Sequence, residues 1–130
     1  MVRNQMLRLI SIVSGLIFAL CTSMAHAQGA WPTKPLRLVV PFTPGGVTDT
    51  SGRVIAEALG KRLGQQVVVE NKPGASGNIG TQIVASSAAD GYTLLLGFDG
   101  TLVINPHVFA KVPFDTLKDF TAIGKIGRSE

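Results

Sequence analysis

Apolar positions fall into two kinds of segment along the chain. Leu36-Arg37-Leu38-Val39-Val40, Val67-Val68-Val69 and Thr93-Leu94-Leu95-Leu96 are short, nearly continuous runs that predict strands. Between the first two, Val54, Ile55, Ala58, Leu59 and Leu63 recur at helical spacing and predict a helix over 48–63 with those side chains inward. Thr48 or Asp49 is placed to cap its first turn, and Gly64 to end it. A second helix is predicted over 78–87, with Ile79, Ile83 and Val84 inward. Asn71-Lys72-Pro73-Gly74 and Asp90-Gly91 read as turns. The order strand, helix, strand, helix, strand, with strands apolar on both faces, is the pattern of a parallel α/β sheet covered by crossover helices. Beyond Gly97, Asn105-Pro106 interrupts the pattern and Ala122–Ile126 is predicted to begin a fourth strand. Three parallel strands make a thin domain, so the expectation is the N-terminal portion of a longer protein.

The first 27 residues follow a different pattern. Arg3 and Arg8 give a positive start, Leu9 to Leu20 is mostly apolar, and Ala25-His26-Ala27 is a small-x-small site. That order predicts a secretory signal cleaved after Ala27. The apolar run is shorter than the roughly 20 residues of a membrane span and ends in polar Thr22-Ser23. Leu20 before Cys21 argues against a lipoprotein, where a small residue is expected.

The signal changes how composition is read. The 130 residues carry 12 Lys+Arg against 8 Asp+Glu, net +4. Without Arg3 and Arg8 the remaining 103 residues carry +2, with basic and acidic residues interleaved, so nucleic-acid binding loses its support. The single Cys, all three Met and His26 leave with the signal, and His107 is the only His that remains. A His- or Cys-built metal site and a nucleophilic triad are therefore disfavoured, and no cofactor is expected.

In an open parallel sheet, ligands bind beyond the carboxyl ends of the strands. Two loops qualify here. Phe42-Thr43-Pro44-Gly45-Gly46-Val47-Thr48-Asp49 joins the first strand to the first helix, and Phe98-Asp99-Gly100-Thr101 follows the third strand. Glycines allow close backbone approach, a helix start attracts an anion, and Thr43, Thr48 and Thr101 offer hydroxyls. Neither G-x-x-x-x-G-K-[ST] nor G-x-G-x-x-G is present, which favours a carboxylate over a nucleotide phosphate. A plain tight turn with Asp49 as a helix cap explains the same residues, and both readings stay open. If Asp49 faces the site, its charge suits orienting N–H groups or waters better than meeting an anion. Gly74-Ala75-Ser76-Gly77-Asn78 lies at the same sheet edge and reads first as the start of the second helix. Arg53, His107, Trp31 and Tyr92 read as surface or packing residues.

Longer stretches carry a resemblance. Trp31-Pro-Thr-Lys-Pro-Leu-Arg-Leu-Val-Val-Pro-Phe-Thr-Pro-Gly-Gly-Val-Thr-Asp49 resembles the opening of the Bug-type (TctC) solute-binding receptors of tripartite tricarboxylate transporters. Val69-Glu-Asn-Lys-Pro-Gly-Ala-Ser-Gly-Asn-Ile-Gly80, Asp90-Gly-Tyr-Thr-Leu-Leu-Leu-Gly97, Asn105-Pro106 and Asp119-Phe120 are similar to the blocks that follow, in order. The resemblance implies a type II periplasmic-binding-protein-like fold, of which residues 28–130 would form part of the first of two lobes. It implies a monomeric periplasmic receptor that captures a small carboxylate and delivers it to membrane permease subunits, without catalysis. Carried onto this chain, the binding wall is Phe42, Thr43, Pro44, Gly45, Gly46, Thr48, Asp49, Phe98, Asp99, Gly100 and Thr101. Thr43-Pro44 stands where the family often has Ala after Phe, which bears on ligand choice. Two other functions compete: a periplasmic binding protein that signals to a membrane sensor kinase, and a secreted enzyme, which the lack of a convergent His, Cys and acid set disfavours.

Overall fold

Three parallel strands form one sheet in the order β2-β1-β3. The computed structural model describes residues 31–127; the predicted signal, residues 1–27, lies outside them. Strand β1 is Leu36–Val40, β2 is Val67–Asn71 and β3 is Thr93–Leu95. Leu38 stands opposite Val69 on one side and Leu94 on the other. Helix α1 (Val47–Leu63) links β1 to β2. A 3₁₀ turn (Ala75–Gly77) leads into helix α2 (Asn78–Ala85), which links β2 to β3. After β3, a π-helical turn (Gly100–Ile104) runs into the short helix α3 (Asn105–Val108).

Side chains alternate across a strand, so each face of the sheet has its own cover. Leu36, Leu38 and Val40 of β1, Val67 of β2 and Leu96 gather on one face with Ala56 of α1. Ile55, Leu59 and Leu63 of the same helix pack around that cluster. Val39 points to the other face and is fully buried. There α2 approaches so closely that a Cβ on Gly80 would lie 2.9 Å from the Cα of Pro41. Burying a side chain such as Leu38 stabilises the fold by about 1.5–3 kcal/mol, so this small cluster carries much of the stability.

The structure corrects part of the predicted face of each helix: Ile55, Leu59 and Leu63 pack inward and Ile83 and Val84 are half-buried, as predicted, but Val54, Ala58 and Ile79 are not. Val54 is 64% exposed and Ala58 is also exposed, while Asp49, Gly52 and Ala56 are buried. The small residues explain the rotation, because they let α1 descend onto the sheet: a Cβ on Gly52 would sit 2.9 Å from Val40 Cγ2. In α2, Ile79 is 47% exposed, and Asn78, Gly80 and Thr81 are buried in its place. Gly64 ends α1 in the left-handed conformation, as its position after Leu63 predicts. Strand β2 runs two residues further than predicted, so Asn71 belongs to the strand and not to the turn.

The fourth strand does not form among the described residues. Residues 121–127 are exposed throughout, with Ile123 at 83% and Ile126 at 61%. An extended segment with no neighbouring strand has no ladder partner, and this one meets none.

Candidate functional site

All three strands are parallel, so their carboxyl ends share one edge, and the two predicted loops meet there. The rings of Phe42 and Phe98 pack edge to face with centroids 5.6 Å apart, joining the loop after β1 to the loop after β3. With α1 starting at Val47, Gly46 is the N-cap, and its lack of a side chain leaves the first-turn amides uncapped. These amides and the helix dipole present partial positive charge at the loop.

Asp49 settles between its two readings. It does not cap α1 from the N-cap position. It sits on the first turn, is 4% exposed, and reaches back so that Gly45 N–H donates to its Oδ2 at 2.9 Å. Arg53 Nε donates to the same oxygen at 3.0 Å, and Asn71 Nδ2 donates to Oδ1 at 2.9 Å. Arg53, first of all, and then Gly45 and Asn71 lower the carboxyl pKa from 3.8 to about 2. The carboxylate is thus already satisfied by its own protein, so it holds the loop and is no bare charge at the sheet edge.

A second fastening holds the loop after β3. Thr101 Oγ1 donates to the Ser76 carbonyl at 2.9 Å, and Asn105 Nδ2 donates to the same carbonyl at 3.1 Å. Asn105 also donates to Asn78 Oδ1 at 2.8 Å, within the buried interior. Gly77, at φ 90°, lies against Thr101; a Cβ there would be 2.5 Å from Thr101 Oγ1. The 74–78 loop therefore starts α2, as expected, and also anchors the loop after β3.

Nine of the eleven predicted wall residues are at least partly exposed: Phe42, Thr43, Pro44, Gly45, Gly46, Thr48, Phe98, Asp99 and Gly100. Asp49 and Thr101 are buried and act on the loops. The Asp99 carboxylate accepts from Gly100 N–H at 2.8 Å, a local turn bond. Sequence reasoning missed Asn71 and Asn105 as site-building residues. Their signal was present in part: a polar amide two positions after an apolar run, and one directly before a proline. Arg53, expected to be solvated, is half-exposed yet paired to Asp49. Among the described residues no group of three or more His, Cys, Asp or Glu could hold a metal ion, and no helix is long and apolar enough to cross a membrane. His107 is exposed and lines a separate open groove of about 430 Å³ with Leu102, Phe114 and Leu117.

This parallel sheet, covered on both faces and with glycine-rich loops meeting at its carboxyl edge, superposes on solved periplasmic binding proteins. MatC from Rhodopseudomonas palustris, solved with bound malate, matches at a TM-score of 0.67 and 41% identity, over 70% of this chain and 31% of that one. Rpa4515 from R. palustris, solved with adipate, matches at a TM-score of 0.64 and 44% identity, over 67% of this chain and 29% of that one. In sequence, protein BugT of Bordetella pertussis is 38% identical over 124 residues, 95% of this chain and 38% of BugT. The family model described as tripartite tricarboxylate transporter family receptor, TctC, matches residues 52–130. The chain belongs to this Bug/TctC family, as its N-terminal part, and the family is periplasmic. It spans little more than a third of the length of the curated relatives it matches.

Proposed function

We propose that this chain supplies one wall of a two-lobed periplasmic receptor that captures a small carboxylate and delivers it to a tripartite tricarboxylate-type permease. Residues 1–27 serve as the cleaved secretory signal, and residues 28–130 form part of the first lobe. The ligand carboxylate meets the uncapped amides at the start of α1, with Thr43, Thr48 and the loop 98–100 as further polar contacts. The Phe42–Phe98 pair gives the wall an apolar floor. The receptor binds and releases its ligand without turnover and acts as a monomer.

One observation carries this reading. The only acid of residues 42–49, Asp49, is buried and held by Arg53, Asn71 and Gly45, which leaves the positive end of α1 facing outward, and the exposed Asp99 of the second loop is turned to its own Gly100 amide. Malate and adipate, seen on MatC and Rpa4515, are ligands of the matching chemistry. The test is thermal unfolding of the full-length mature receptor against malate, adipate, citrate and aromatic acids. Ligand at 100 times its Kd adds about 2.7 kcal/mol, a rise of a few degrees in Tm. No rise with any carboxylate would overturn the proposal.

A further inference from the structure

The loop Phe42–Asp49 has no regular structure before α1 begins, yet one side chain from a different strand ties both of its ends. Asn71, the last residue of β2, donates from its single Nδ2 to the Phe42 carbonyl at 3.1 Å and to Asp49 Oδ1 at 2.9 Å. Its own Oδ1 accepts from the Arg53 guanidinium at 3.3 Å. The chemistry fixes this orientation. A carbonyl and a carboxylate only accept, and a guanidinium only donates, so the NH₂ must face the loop and the oxygen must face Arg53. No other small side chain meets the same demand. Asp has no donor when ionised, Ser cannot serve three partners at that reach, and Leu offers nothing.

We propose that Asn71 is the positioning residue of the carboxylate-binding loop: it pins the entry and exit of Phe42–Asp49 to the sheet, so the loop's amides are set before ligand arrives. The inference rests on the carboxylate reading above for its binding consequence, but the pinning stands independently of it. Asn71 touches no ligand in this account. It acts through Phe42 and Asp49, and pre-setting the donors spares the ordering cost that binding would otherwise meet.

The test uses the full-length receptor as wild type, N71D and N71S, with malate and adipate as probes. Titration calorimetry reads affinity, and hydrogen exchange of the ligand-free proteins reads the loop. Both variants should bind at least about tenfold more weakly at about pH 8 and show faster exchange across 42–49, above all at the Gly45 amide. N71D should then regain affinity relative to wild type as the solution is acidified to about pH 5. There the introduced carboxyl and Asp49 share one proton, which restores a donor between them. The charged groups around position 71 are Asp49 and Arg53 from α1, with Glu70 and Lys72 beside it, Glu70 being forked to Arg37 of β1 at 2.9 and 3.0 Å and lying 3.6 Å from Lys72. N71S has no such proton to recover and should show no relative gain.

Affinities within about twofold of wild type and unchanged exchange at 42–49 would overturn the inference. So would a weakening that follows a general loss of thermal stability, with exchange raised everywhere alike. If wild type binds neither probe, the carboxylate reading loses its support, and the exchange arm still decides the pinning: selective loosening of 42–49 upholds it, and its absence refutes it.

Discussion

Replacing Gly77 with Ala tests how firmly the loop after β3 is built into the fold. Gly77 sits at φ 90°, ψ −8°, a left-handed conformation that costs an L-residue with a Cβ about 1–2 kcal/mol. The added Cβ would lie 2.5 Å from Thr101 Oγ1 and 3.2 Å from its Cγ2. Thr101 is 1% exposed and cannot swing into solvent. It must shift, losing its 2.9 Å bond to Ser76, about 1 kcal/mol, and straining its packing by about another 1 kcal/mol. Together the substitution should cost about 3–4 kcal/mol, read as a fall in the urea midpoint with the slope unchanged. The companion variant Thr101→Ala should cost about 1–2 kcal/mol by itself. In the double variant the clash is gone and only the backbone term is added, so the total should fall short of the sum by about 2 kcal/mol. A cost below about 1 kcal/mol for Gly77→Ala, or strict additivity of the pair, would refute the geometry argued here.

Asp49 predicts an acid limb. Its folded pKa of about 2 lies below its ordinary 3.8, so its stabilising contribution is complete above about pH 4 and is lost as pH falls toward 2. Asp49→Asn should lower stability at neutral pH and flatten that limb in acid-unfolding curves; an unchanged limb would contradict the assignment. Leu38→Ala removes the centre of the sheet cluster and should cost about 2–4 kcal/mol by chemical denaturation. The forked Arg37–Glu70 pair, at 2.9 and 3.0 Å, is half-exposed, so Arg37→Ala should cost only about 0.5–1 kcal/mol and less at high salt.

The strands and helices were legible because continuous apolar runs and helical spacing are local signals. The face of α1 was legible in part: Ile55, Leu59 and Leu63 pack inward as their spacing predicts, while Val54 and Ala58 do not. Hydrophobicity favoured Val54, yet the buried stripe runs through Asp49, Gly52 and Ala56, where small size and the bonds of Asp49 to Gly45, Arg53 and Asn71 outweigh apolarity. Asn71 and Asn105 were hidden for another reason. Asn near Pro or Gly reads as a turn, whereas their partners lie 18 to 29 positions away in the chain. Such pairings exist only once the sheet has brought the loops together. The two loops themselves were legible, because parallel strands place their carboxyl ends at one edge whatever the detailed packing. Asp49 could be read from sequence as a cap or as a site residue; its buried position on the first turn, reaching back to Gly45, makes it a loop fastener. The apolar Ala122–Ile126 segment resembled a strand locally, but strand formation depends on a neighbour that the described residues do not supply.

The central claim is that a carboxylate docks on the amides of the loop before α1. The direct measurement is hydrogen exchange on the full-length receptor with and without malate or adipate, read peptide by peptide. Protection concentrated at 43–48 and 98–100 on ligand addition is the predicted result. Absence of binding, or protection that leaves both loops untouched, would contradict it.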